Sequence, residues 1–367
     1  MITATDIFQS ERLYDLESEL KKRFPDKKVA YFDIETTGFS SKSQQIYMIG
    51  AAFQNETDNT FTIMQWFDDT SHDECKLLLV FREFLKDFDI LIDYNGSSFD
   101  VPFIENRGIR HGILFHFDRF ICIDIYKEIR KYKNFFKTPD LKQKSIEFFL
   151  GIEREDEYDG GRLIEIYQDY LKGNSKDETL YSLLMLHNHD DIIGLVNICD
   201  ILAYLEFLNG KFTLQSARYE ETSLILGFQL DFVLRQPVFE SLNGISLDVQ
   251  DNTFHIMIPV VKGEMKYFYE NYKDYFYLPQ EDTAIHKSVA QFVDKTHRQK
   301  ATKQNCYIKK NSTFVLEYSD IFKPAFRQNA SDKHFYFEIT QENVETLDKE
   351  RMRCYVQELL HYLIKQL

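Results

Sequence analysis

The sequence predicts an α/β domain over residues 28–208, a mixed sheet flanked by helices, followed by a smaller α+β region over 209–367. Three observations carry this reading. Apolar runs of strand length at 28–35, 46–54 and 60–67 are followed by segments that alternate between helical and strand patterning. Asn209-Gly210 is a turn signal and marks the boundary. Beyond it, apolar and polar residues alternate, as in Phe254-His255-Ile256-Met257-Ile258-Pro259-Val260-Val261, the pattern of antiparallel strands.

Residues 1–27 are expected to form a helical lead-in, on the amphipathic pattern of 7–24. The first strand, 28–35, rests on Val29-Ala30-Tyr31-Phe32, and strands at 46–54 and 60–67 complete the opening meander. A helix at 72–88 leads to a strand at 90–94, where Ile90-Leu91-Ile92 runs into an Asn95-Gly96 turn. Asp100 opens a helix reaching about Arg110, and Pro102 suits its first turn because an N–H there would have no helical partner. A strand at 119–124 and helices near 140–150, 161–172 and 177–208 finish the domain. In the C-terminal region, strands over 211–270 lead into a long polar connector, a strand at 334–339 and an amphipathic helix at about 347–366. Within the connector, Asp282 or Thr283 is expected to cap a helix start.

The chemistry is concentrated in three places. Residues 31–38 read Tyr-Phe-Asp-Ile-Glu-Thr-Thr-Gly. In a strand, residues i and i+2 share a face, so Asp33 and Glu35 point the same way from its rim. Two carboxylates that close repel each other unless a cation lies between them, and oxygen ligands suit Mg²⁺ or Mn²⁺. A strand end with acids facing solvent is the plainer alternative. Asp100 is the second place, and a simple N-cap is its plainer role. The third is Leu186-His187-Asn188-His189-Asp190-Asp191-Ile192, where His187 and Asp191 are i and i+4 on one face of an apolar helix. Burying such groups without partners is costly. His189 points elsewhere and reads as a surface or packing residue.

Together these carboxylates resemble the DEDD superfamily of 3′–5′ exonucleases, which share a ribonuclease-H-like fold. Asp33 and Glu35 match its first motif, Asp-x-Glu-Thr-x-Gly; Asp100 matches the second, in Tyr94-Asn95-Gly96-x-x-Phe99-Asp100-x-Pro102; Asp191 matches the third. One branch of the family places Tyr four residues before the third-motif Asp and another places His five before it, whereas here His187 stands four before. The pattern is similar to the YprB-like branch, with further matches at Phe120–Asp124 and Leu141–Ile152, and covers about residues 28–205.

The resemblance implies a two-metal hydrolysis of phosphodiester bonds in single-stranded DNA or RNA with a free 3′ end. It implies that Asp33 bridges two Mg²⁺ or Mn²⁺ ions, that Glu35 and Asp191 hold one of them, and that Asp100 supports the other. His187 would orient or deprotonate the attacking water. Asn95, Phe99, Thr36 and Thr37 would position the terminal nucleotide, and Asp124 would support the site from behind. Two other classes fit the same fold: a nucleic-acid-binding module without turnover, and a structure-specific endonuclease.

Composition bounds these readings. The chain of 367 residues is 44% hydrophobic and 28% charged, enough for a sizeable core and for two domains. No apolar run approaches the roughly 20 residues that span a membrane, and the N-terminal residues lack signal-peptide character. Five scattered cysteines without a Cys-x-x-Cys pair point to a reducing compartment, read as cytoplasmic. The net charge of −15 makes local charge decisive for nucleic-acid binding. Lys127, Arg130, Lys131, Lys133, Lys137, Lys142 and Lys144 face only Glu128 and Asp140 across 127–144, interleaved with Tyr126, Tyr132, Phe135 and Phe136. Such a run suits a groove that tracks phosphates and stacks bases, with Lys131 and Lys133 binding the substrate. A solvated helix face over buried aromatics is the alternative. A second run lies at 287–310.

Overall fold

Alternation along one strand sets the architecture of the N-terminal unit. Ala30, Phe32 and Ile34 join the apolar core on one face of the sheet, while Asp33 and Glu35, offset by one, take the other. The computed structural model describes residues 1–55, 59–154, 160–173 and 177–366, and the chain divides into two units, Met1–Leu205 and Glu206–Leu367.

The first unit holds β1 (Ile2–Gln9), α1 (Leu16–Arg23), β2 (Val29–Thr36), β3 (Ile46–Gln54), β4 (Thr60–Phe67), α2 (Glu74–Phe84), β5 (Ile90–Asp93), α3 (Asp100–Arg110), β6 (Ile121–Asp124), α4 (Ile125–Ile129), α5 (Lys133–Phe136), α6 (Gln143–Leu150), α7 (Gly160–Lys172) and α8 (Glu178–Asn197). A turn of 3₁₀ helix at 198–200 separates α8 from α9 (Ile201–Leu208), which runs through the point of division. The sheet order is β1-β4-β3-β2-β5-β6. The first four strands pair antiparallel, and β2, β5 and β6 run parallel. The carboxyl ends of the parallel strands, where open α/β sheets place their ligands, therefore carry Asp33, Glu35, Asp93 and Asp124 together.

One face of the sheet packs α2 and α3 through Leu77, Leu78, Phe81, Phe103 and Ile104. The other receives α7 and α8, with Tyr47, Met48 and Phe67 against Leu163, Tyr167 and Leu184. Gly50 fixes how closely α8 lies. It pairs with Asp33 across β2 and β3, and a Cβ there would stand 2.4 Å from Asn188 Oδ1 and 2.8 Å from Ile192 Cγ1. Only a residue without a side chain lets α8 descend that far. Gln65 Nε2 of β4 then donates to Asn188 Oδ1 at 3.0 Å, locking the helix in place.

The lead-in differs from the helix expected over 7–24. Ile2–Gln9 is the edge strand of the sheet, paired antiparallel with β4 from Ile2↔Phe67 to Gln9↔Thr60, and only Leu16–Arg23 is helical. The β-branched Ile2, Thr3, Thr5 and Ile7 suit a strand, and the partner some 60 residues away is invisible to local periodicity.

The second unit is β-rich. It contains β7 (Thr213–Glu220), β8 (Ser223–Gln229), β9 (Val238–Leu242), β10 (Ile245–Gln250), β11 (Thr253–Phe268), β12 (Tyr275–Leu278), β13 (Thr283–His286), α10 (Lys287–Ala290), β14 (Gln299–Lys300), β15 (Tyr307–Glu317), β16 (Phe335–Glu338) and α11 (Lys349–Gln366). The long β11 pairs with β8 and β10 through its first half and with β15 through its second. The expected polar connector is thus largely structured, since β12, β13 and β14 form a small sheet of their own and β15 joins the large one. Asp282 caps no helix. It lies at positive φ before strand β13 and accepts hydrogen bonds from the Tyr277 and Tyr307 hydroxyls, with Lys309 Nζ at 2.5 Å. Several cations of the second basic run are paired: Lys309 with Asp282, Lys310 with Glu338 and Lys287 with Asp274. Three of the seven cations in that run are thus held by carboxylates.

Candidate metal centre

Three elements deliver the acidic residues. β2 presents Asp33 and Glu35, and a bulge between Glu35 and Thr36 shifts the register with β3 at that rim, a common means of re-aiming side chains beside a site. α8 presents His187 and Asp191 from successive turns. His187 Nε2 lies 3.0 Å from Asp191 Oδ2 and 3.5 Å from Glu35 Oε1. Ligand atoms of Glu35, His187 and Asp191 all fall within 4.8 Å of one another. Asp100 is the first residue of α3, and its Oδ1 accepts from the Ile34 N–H of β2 at 3.3 Å. The α3 N-cap is Phe99 rather than Asp100, so the carboxylate is turned toward the strand.

Electrostatics tie the set together. Burial pushes the Asp33 carboxyl well above its ordinary value, and the charges of Asp100, Asp191 and Glu35 push it further. Burial raises Asp100 to about 7, against the pull of its backbone hydrogen bonds. Asp191 moves the other way: burial would raise it, but the His187 hydrogen bond and charge, with Arg154, hold it below the usual carboxylate range. This is a set of acids that repel one another around one strand end, with one imidazole among them. Hard oxygen donors with excess negative charge fit a divalent cation such as Mg²⁺ or Mn²⁺.

Residues 30–203 match the family model of the ribonuclease H superfamily. The fold of this stretch is ribonuclease-H-like, in keeping with its mixed sheet between helical layers. No curated protein matches the chain. Among solved structures, the family B DNA polymerase from the hyperthermophilic archaeon Pyrobaculum calidifontis is similar at 13% identity and a TM-score of 0.39, over 66% of this chain and 34% of the polymerase chain. The protein therefore spans about a third of that polymerase's length.

Around the carboxylates of the ribonuclease-H-like domain, the remaining sequence-derived residues fall into two groups. Asn95, at φ 66°, and Phe99 lie in the turn leading to Asp100. Thr36 Oγ1 donates to Gly38 O, while Thr37 donates its N–H to Gln45 O and its hydroxyl to Gln44 Oε1. The two threonines thus brace the loop after β2. That loop carries Phe39, a residue the motif reading passed over: it is 86% exposed, with its ring 6.4 Å from that of Phe99. An apolar residue among Gly38, Ser40 and Ser41 was the signal for it. Lys131 and Lys133 are exposed, whereas Tyr132, Phe135 and Phe136 are buried, the last two packing near Tyr204. Both ends of the basic run are fastened beside the Asn95 turn, since Lys127 N–H donates to Asp124 Oδ1 and Leu141 O accepts from Tyr94 O–H.

That turn hangs on two carboxylates facing each other across β5 and β6, Asp93 and Asp124. Asp124 accepts from the N–H groups of Asn95 and Ser97 and from the Ser97 hydroxyl. Asp93 accepts the Gly96 N–H through Oδ1, while its buried Oδ2 meets no partner among the described residues. Burial first, then Asp124 and Asp100, raises Asp93 to about 8. A raised carboxyl contributes stability that is complete below the unfolded value of about 4 and is lost as pH climbs through the folded value. The melting temperature of the ion-free protein is therefore expected to fall between about pH 4 and about pH 8, and Asp93→Asn to flatten that fall. Thermal unfolding in EDTA across this range is the measurement, and an identical slope in the variant would exonerate Asp93.

Proposed function

We propose that the N-terminal domain is a divalent-metal-dependent 3′–5′ exonuclease acting on single-stranded nucleic acid. The observation that carries this reading is the convergence of Asp33, Glu35, Asp100 and Asp191, with His187 between two of them, at the carboxyl end of a ribonuclease-H-like sheet. Asp33, Glu35 and Asp191 would hold one ion, and Asp33 with Asp100 a second. When bound, such a pair supplies Lewis acidity toward the phosphodiester and charge compensation for the leaving oxygen.

The rest falls to the chain's own groups. Water oxygen forms a bond to phosphorus, the bond from phosphorus to the leaving 3′-oxygen breaks with that oxygen taking a proton from solvent, and His187, once its Nε2 no longer donates to Asp191, takes the proton the water gives up. Its distance to Asp191 keeps the imidazole oriented and favours the imidazolium that forms. Phe39 and Phe99 offer a ring surface beside the carboxylates for a terminal base, and Asn95 a polar edge for its sugar or phosphate. The exposed lysines between Asp124 and Leu141 suit the approaching backbone. Five free cysteines fit a reducing, cytoplasmic setting. No helix among the described residues is long and apolar enough to cross a membrane.

The test is degradation of linear, 3′-blocked and circular single strands of DNA and RNA, in Mg²⁺, Mn²⁺ or EDTA. Loss of linear unblocked strands alone, with ions, is the expected result. Cleavage of circles would replace the exonuclease with an endonuclease, and inertness toward every substrate would leave a binding module. Charge reversal at Lys131 and Lys133 gives a further prediction. Substrate binding should weaken about equally for all sequences, with the salt dependence flattened by about 0.7 for each phosphate that is no longer neutralised. The rate at saturation should not move, because these side chains touch no reacting atom. A double variant with the parental salt slope would make the run a solvated face.

A further inference from the structure

The third-motif carboxylate already has a cation. Arg154 Nη2 lies 2.5 Å from Asp191 Oδ1, and its Nη1 lies 3.1 and 3.0 Å from the two oxygens of Glu147. Glu147 is buried on α6 and receives Gln143 Nε2 at 2.9 Å, and the same amide nitrogen donates to the Asp191 carbonyl at 3.0 Å. α6 reaches α8 this closely because residue 194 is glycine, where a Cβ would stand 2.1 Å from Glu147 Oε1. The guanidinium is thus clamped to α6 by one arm and turned to the carboxylate set by the other. Its side chain is only 10% exposed, and its charge opposes the mutual repulsion felt by Asp33 as well as by Asp191.

We infer that Arg154 is the resident counter-cation of this site, holding Asp191 while no divalent ion is bound and giving it up when one binds. The inference rests on the metal reading above. Guanidinium stays protonated at any working pH, so it cannot yield the carboxylate by losing its charge and has to move off it. Glu147 provides the place to remain: a buried anion fastened through both oxygens retains the side chain after Asp191 is released. Arg154 is then a positioning residue that sets ion affinity and touches no reacting atom. Competition of two cations for one carboxylate makes ion binding weaker than the four acids alone would give.

Two measurements test this on the full chain. Calorimetric titration with Mn²⁺ should show binding about 10-fold tighter in Arg154→Gln than in the wild type, while Arg154→Lys, which keeps the charge, stays within about threefold; tenfold corresponds to about 1.4 kcal/mol. The ion-free Arg154→Gln protein should also melt lower than the wild type, and the ion-saturated forms should differ less. Should the variant not fold without ions, the wild type decides: phenylglyoxal modification of Arg154, followed by peptide mass, should speed up several-fold in saturating Ca²⁺ relative to EDTA. Unchanged or weaker Mn²⁺ binding in Arg154→Gln, or an unchanged modification rate, overturns the counter-cation role and leaves a strut. A wild type that binds no Mn²⁺ at all sinks the metal reading itself.

Discussion

In the Asp33→Asn variant, phosphodiester hydrolysis is expected to fall below detection while the domain stays folded and, free of ions, melts above the wild type. The two effects share one cause. Asp33 is the carboxylate on which the charges of Asp100, Asp191 and Glu35 all act, so a neutral isostere removes repulsion from the ion-free protein. Each kcal/mol so relieved raises the melting temperature by about 2–4 °C for a domain of this size. The same change removes the ligand shared by both proposed ions. Loss of one group that stabilises transition-state charge already costs about 10²–10³-fold, and a residue serving both ions should cost more. The stabilisation that Mg²⁺ or Mn²⁺ gives the wild type through binding only the folded state should shrink in parallel. Full turnover by the variant in excess EDTA would end the two-metal proposal.

How much of this was legible in the sequence depends on how local each signal is. The first motif needs only period-two alternation: once Val29–Phe32 reads as strand, Asp33 and Glu35 must share a face, and they do. The i, i+4 spacing likewise put His187 and Asp191 side by side on α8. Asp100 was legible as a helix start, but its bond to the Ile34 N–H depends on a strand 66 residues earlier. The edge strand Ile2–Gln9 is a product of distant pairing, so its residues alone suggested a helix, whereas β12 and β13 form a local hairpin, Tyr275↔His286 to Leu278↔Thr283, inside what read as a polar connector. Gly50 and Gly194 carried the packing information in plain view. A glycine in a strand and another in a helix interior lower propensity in both places, and each is explained only by the helix that fills its missing side chain. Arg154 sat outside every motif. Its partners, Glu147 and Asp191, are 7 and 37 residues away, and no periodicity links them.

His187→Ala is expected to slow hydrolysis by about 10²–10⁴-fold, the range a positioned general base contributes, with little change in substrate affinity. Geometry leaves two roles for this residue, and the variant separates them. Its Nε2 stands between Glu35 and Asp191, 3.5 and 3.0 Å away, so it can take a proton or bind an ion directly. Mg²⁺ prefers oxygen and dehydrates reluctantly, and four carboxylates are present without the imidazole, which favours the proton role. Mn²⁺ affinity in the variant should then stay within about threefold of the wild type, and added imidazole should restore part of the rate. Loss of a true ligand, or of a group that orients one, weakens metal binding by about 10–100-fold, an outcome that would move His187 into the ligand set. A parental rate with parental ion affinity would make it a packing residue, its place between two carboxylates serving only to hold Asp191 below the usual carboxylate range. Both quantities are needed because the rate alone falls in either of the first two cases. The split between rate and ion affinity tells a base from a ligand at this spacing, which matches neither arrangement of the family its motifs resemble.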